Sequence, residues 1–141
     1  MNFNQSGVTK EQILRSLRAM IIEGGFKADS IIIDGFDFSC SAASSGQAGV
    51  NKSNMEAVKA FAAELGVSVW YSCSVKDDGQ PYDKKNIPVV LENFIENMDV
   101  VIVLQPKPDH VELSVSKDRN TIVSKSMAMK LDPKTLLILE A

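Results

Sequence analysis

The chain has 141 residues, of which 45% are hydrophobic and 23% charged, and its formal net charge is −3. That length suffices for one domain with a real core, and the mild acidity gives no overall pull toward nucleic acid or anionic membrane, although a local basic patch stays open. Apolar runs such as Ile31–Ile33 and Val100–Leu104 fall far short of a membrane span. The opening MNFNQSGVTKEQ lacks the basic-then-apolar order of a secretory signal. Cys40 and Cys73 form no CxxC, and His110 is the single histidine, which argues against a zinc site and fits a reducing, cytoplasmic setting.

The first element predicted is a helix over Thr9–Gly25. Thr9 caps it, Gln12 completes a capping box, and Ile13, Leu14, Leu17, Met20 and Ile21 share one face. Gly24-Gly25 stops it. Ser30–Asp34 reads as a strand buried on both faces, as in a parallel sheet. A loop of small residues, GFDFSCSAASSGQAGVN, follows, and its length marks it as mobile or functional. Ser53 and Glu56 form a second capping box for a helix that ends at Gly66 and carries Met55, Val58, Ala62 and Leu65 on one face. Val67–Tyr71 is the second strand, with one of Trp70 and Tyr71 in the core. After the polar loop SVKDDGQPYDKKN, Pro88 opens a helix with Val90, Leu91, Phe94, Ile95 and Met98 inward.

Val100–Leu104 is the third strand, and QPKPD a turn. Val111–Ser116 alternates apolar with polar residues, as a half-exposed strand does. Ile122-Val123 and Leu136–Leu139 complete the strands. The order predicts an α/β fold: three layers, α-β-α, around one mainly parallel sheet, with antiparallel strands at its C-terminal edge. No internal repeat is visible.

In such sheets ligands gather at the carboxyl ends of the strands. Asp34 ends the first strand, Ser72-Cys73-Ser74 the second and Gln105 the third. A carboxylate at the tip of an apolar strand can hold Mg²⁺ through water while the ion bridges phosphates. The same acid can equally cap a strand end or form an Asx turn. Lys117 and Arg119 lie two apart near the end of a strand, and share a face if that strand persists. Charge there also serves simply to guard an edge strand.

Taken together, these pieces resemble the RecA-like ATPases, most closely the branch of KaiC, RadA and the DnaB motor, from about Val8 to about Val123. The matching stretches are "ADSIIIDGF" for the metal-aspartate strand and "AVKAFAAELGVSVW" for the next helix and strand. "SVKDDG" matches the following loop, "VVLENFIENMDVVIVL" a helix and strand, and "VELSVSKDRN" the late hairpin. The resemblance implies that Asp34 holds the Mg²⁺ shell, that Ser72 or Ser74 senses the γ-phosphate of ATP, and that Lys117 and Arg119 act on a neighbouring subunit's nucleotide.

The family's phosphate loop, GxxxxGK[ST], has no counterpart in residues 1–8. "GQAGVNKS", Gly46–Ser53, is a decoy with Asn51 where glycine is required and a dozen residues too far from its strand. The chain therefore reads as a single domain equivalent to the C-terminal half of a RecA-like core. In the family, the missing strand lies between the sensor strand and the next. The expectation is a portion of a longer protein, or one completed by self-association. It binds Mg-ATP only when completed, is inactive alone, and leaves a nucleic-acid or protein partner open for the complete protein, with no membrane. The competing expectation is a non-catalytic interaction module that uses the loop Gly35–Val50 as its contact surface.

Overall fold

The computed structural model describes residues 9–36, 38, 45–75, 79, 81–85, 87–123 and 129–140, with the side chains of residues 45–50 and 140 not described. It is a mixed α/β structure with two helices and two sheets, and it divides into two compact units, Met1–Lys76 and Asp77–Ala141.

In the first unit, α1 (Lys10–Arg18) begins with the predicted capping box: the Gln12 N–H donates to the Thr9 hydroxyl, and the Gln12 side chain accepts from the Thr9 N–H. It runs into one π-helical turn, Ala19–Glu23, which ends at Gly24. A side chain at Gly24 would meet the Met20 carbonyl oxygen at 2.7 Å, so glycine is needed there for close approach. Strand β1 (Ser30–Ile33) leads through α2 (Ser45–Leu65) to β2 (Ser68–Tyr71), which pairs with β1 in parallel. α2 ends in a left-handed Gly66, with the Val67 N–H returning to the Ala62 carbonyl. Its start departs from the sequence expectation: Ser53 lies inside the helix, not at its cap. The core is Ile31, Phe61 and Ala62, with Leu14, Leu17, Ile21, Ile33, Leu65, Val67 and Val69 packed against it. Arg18 ties the two helices together, its guanidinium 4.9 Å from the Phe61 ring centroid and 3.8 Å from the Glu64 carboxylate.

The expected burial of β1 on both faces is not what forms. Ile31 is buried, but Ile32 is 73% exposed, and its β2 partner Trp70 is 51% exposed. Tyr71, not Trp70, is the aromatic that turns inward.

The second unit holds no long helix among its described residues. The stretch after Pro88 forms two 3₁₀ turns, Val89–Leu91 and Ile95–Asn97, closed by three-residue hydrogen bonds such as Glu92 N–H to Val89 and Met98 N–H to Ile95. β-Branched Val89 and Val90 and two asparagines weaken an α-helix here, while Leu91 and fully buried Phe94 still anchor the inward stripe. Strand β3 (Val100–Pro106) then pairs antiparallel with β4 (Val111–Asp118) across a four-residue connection. β5 (Thr121–Ile122) folds back on β4, and β6 (Met129–Leu131) and β7 (Ile138–Glu140) extend the sheet in the order β3-β4-β6-β7. Val101 and Val103 face its core, whereas Val100, Ile102 and Leu104 are exposed.

The expectation of one mainly parallel sheet is corrected accordingly. Among the described residues parallel pairing is confined to β1–β2, and β3, expected in the same sheet, opens a separate antiparallel one. The tight β3–β4 hairpin satisfies one side of β3 locally, with little loop-closure entropy. The last strand begins at Ile138, because Leu136 sits in the β6–β7 turn with φ +58°.

Candidate functional site

The carboxyl ends of β1 and β2 lie side by side because the two strands run parallel in register, Ile33 opposite Tyr71. The next residues, Asp34 and Ser72, are therefore neighbours in space although far apart in sequence. The Ser72 hydroxyl donates a short hydrogen bond to the Asp34 Oδ1. That hydroxyl in turn accepts from the Gly35 N–H at 3.1 Å. The ladder continues past the strands, with Ser72 N–H to the Ile33 carbonyl at 3.0 Å and Phe36 N–H to the Ser72 carbonyl at 2.8 Å. Gly35 makes the turn at φ +68°, a conformation most residues avoid. The Asp-Gly pair is the sequence signal for this turn.

Sequence reasoning missed the aromatic cluster beneath the tip. Phe36, Phe38 and Tyr71 meet with ring centroids 4.6, 5.1 and 6.3 Å apart, tilted or edge to face. Phe38 is buried. The Tyr71 hydroxyl is buried without a hydrogen-bond partner among the described residues, and burial pushes its phenol well above the usual range. Burial also raises the Cys73 thiol, which keeps it in the protonated, less reactive form. Ser74 lies exposed two residues beyond Ser72.

Asp34 and Ser72 offer hard oxygen donors, which suit Mg²⁺ rather than a soft metal. No group of three or more metal-ligating side chains forms among the described residues, so an ion at Asp34 would take most of its shell from water and phosphate oxygens. Asp37, Cys40 and the rest of the stretch 39–44 lie outside the described residues. Gly46–Ser53 belongs to α2, whereas a phosphate loop needs an irregular turn ahead of its helix.

Lys117 and Arg119 belong to the second unit. Lys117, opposite Val101 on β4, sends its ammonium to the Ile95 and Met98 carbonyls, 2.6 Å from each, and so closes the second 3₁₀ turn. Arg119 lies past the end of the strand, in the two-residue connection between β4 and β5, so the pair does not share a strand face. Its backbone is left-handed, φ +54°, and its N–H donates to the Asp99 carbonyl. Gln105 lies on β3 opposite Glu112, in the second sheet. His110 pairs at 2.6 Å with its neighbour Asp109, whose carboxyl that hydrogen bond holds below its usual range.

No protein-family model matches the chain, and no curated protein matches it.

Proposed function

We propose that the chain contributes the strand-tip half of a Mg-nucleotide site, as the C-terminal part of a RecA/KaiC-like ATPase completed by a segment that carries a phosphate loop. The observation that carries this reading is the pairing of Asp34 with Ser72 at the carboxyl ends of two parallel strands joined through a helix. That is where open α/β sheets bind ligands. Asp34 then orients the water shell of Mg²⁺, and Ser72, held by Asp34 and the Gly35 amide, presents a hydroxyl to the terminal phosphate, with Ser74 beside it. Arg119, on an exposed hairpin tip, supplies a fixed cation to a nucleotide on another subunit. Lys117 braces the segment behind that hairpin. The partial RecA-like core, three layers with a strand still to be supplied, is the fold this function requires, and the outer edge of β2, which pairs with no further strand among the described residues, is consistent with it.

The test is thermal melting with and without Mg-ATP. The 141-residue chain alone shows no shift and no hydrolysis. The same chain joined to its phosphate-loop segment gains several degrees, as a ligand well above its Kd produces, and Asp34→Asn or Ser72→Ala removes most of that gain. A completed protein that ignores Mg-ATP sinks the reading and leaves the non-catalytic interaction module in its place.

A further inference from the structure

We infer that β3 is a self-pairing edge, through which two copies of this chain join their second-unit sheets antiparallel about a two-fold axis at Val103.

β3 ends the strand order of its sheet, with β4 on one side and no strand paired to its other side among the described residues. Sheet edges in soluble proteins are usually blunted by charge, bulges or shortness. Over Val100–Pro106 this edge carries no charge, is the second longest of the seven strands, and ends in a proline. The one register irregularity in the β3–β4 ladder places its extra residue, Ser116, on β4, so β3 itself stays regular. Ile102 and Leu104 are 43% and 54% exposed, and Val100 is exposed beside them.

The sequence of this edge complements itself in one register. With Val103 opposite Val103 of the second copy, Ile102 meets Leu104, and Val100 meets Pro106. The exposed apolar stripe then stays on one face and doubles its length. At both ends Asp99 falls opposite Lys107, so each copy offers an acid where the other offers a base. Both residues are exposed. Lys107 already lies 3.4 Å from Glu112, and an ammonium with three donors can serve both carboxylates. A slip by two residues in either direction loses both charge pairs. The interface is isologous, and therefore closes at two copies. Opposed apolar and opposite-charge pairs are the units that stabilise such a ladder.

Sedimentation equilibrium of the full chain, from micromolar to submillimolar concentration, tests this. The wild type is expected to be a concentration-dependent dimer, and Ile102→Lys, at an exposed position, a monomer throughout with an unchanged circular dichroism spectrum. Asp99→Lys and Lys107→Asp each weaken association by about tenfold or more, and the double variant D99K/K107D restores it. Should Ile102→Lys perturb the fold, the charge swap and its rescue carry the test alone. A monomeric wild type, open-ended assemblies, a double variant no better than the singles, or a dimer lost with Trp70→Lys but kept with Ile102→Lys overturns the inference. None of these outcomes depends on nucleotide, so failure here leaves the Mg-ATP reading standing.

Discussion

Arg119 is held in a left-handed conformation that costs an L-residue roughly 1–2 kcal/mol. Strained residues of this kind concentrate at functional positions. Arg119→Gly is therefore expected to raise stability by about 1 kcal/mol, measured by urea denaturation, and, under the Mg-ATP reading proposed above, to remove ATP hydrolysis in the completed protein. Loss of both stability and activity would mark the residue as structural. Tyr71 carries the opposite imbalance, a buried hydroxyl with no hydrogen-bond partner among the described residues. Tyr71→Phe is expected to be neutral or to stabilise by about 1 kcal/mol. The pH dependence has a definite sign. The unfolded phenol ionises near pH 10, whereas the folded one holds its proton to higher pH because it is buried. The Tyr71 contribution is thus fully present below that pH and is lost as pH rises toward the folded value. Melting temperatures from pH 9 to pH 11 should fall more steeply for the wild type than for Tyr71→Phe. Asp132 shows the acid counterpart. The Lys134 N–H and the Thr135 hydroxyl hold its carboxyl below the usual range, so the β6–β7 turn is firm above that range and loosens as pH drops through it.

At the scale of elements, local signals were legible, and so was the parallel pairing of β1 with β2, whereas the separate antiparallel sheet was not. The Thr9–Gln12 capping box, the Gly66 stop, both parallel strands and the β3–β4 hairpin follow from residues close in sequence. The start of α2 does not, because Gly46, Gly49 and the serines before them read as loop, and propensity is a weak prior against packing. The stretch after Pro88 has helical spacing but closes with three-residue hydrogen bonds, and the decisive partner, Lys117, lies far along the chain. β6 is three residues with no β-branched side chain and gave no pattern to read. The pairing of Asp34 with Ser72 was legible as two strand ends, since alternating helices and strands place such ends together. The aromatic cluster was not, because ring contacts follow from the path of a loop that periodicity does not describe.

For the molecule as a whole, each unit carries its own buried set: Ile31, Phe61 and Ala62 in the first, and Leu91, Phe94, Val101 and Val103 in the second. Cooperative units of this kind open with their own free energies. Phe61→Ala, which removes a ring from a core built of few residues, should cost about 3–5 kcal/mol. Hydrogen exchange should then accelerate at the amides of α1, α2 and β1–β2 while the β3–β4 ladder keeps its protection; uniform acceleration would show one cooperative unit. Trp70 is the sole tryptophan, half exposed on β2 and two residues from Ser72. Nature has thus placed a single built-in fluorophore beside the strand tip. Its emission starts red-shifted in water, so any strand, subunit or nucleotide that covers this face announces itself as a blue shift and reduced quenching, with no label attached.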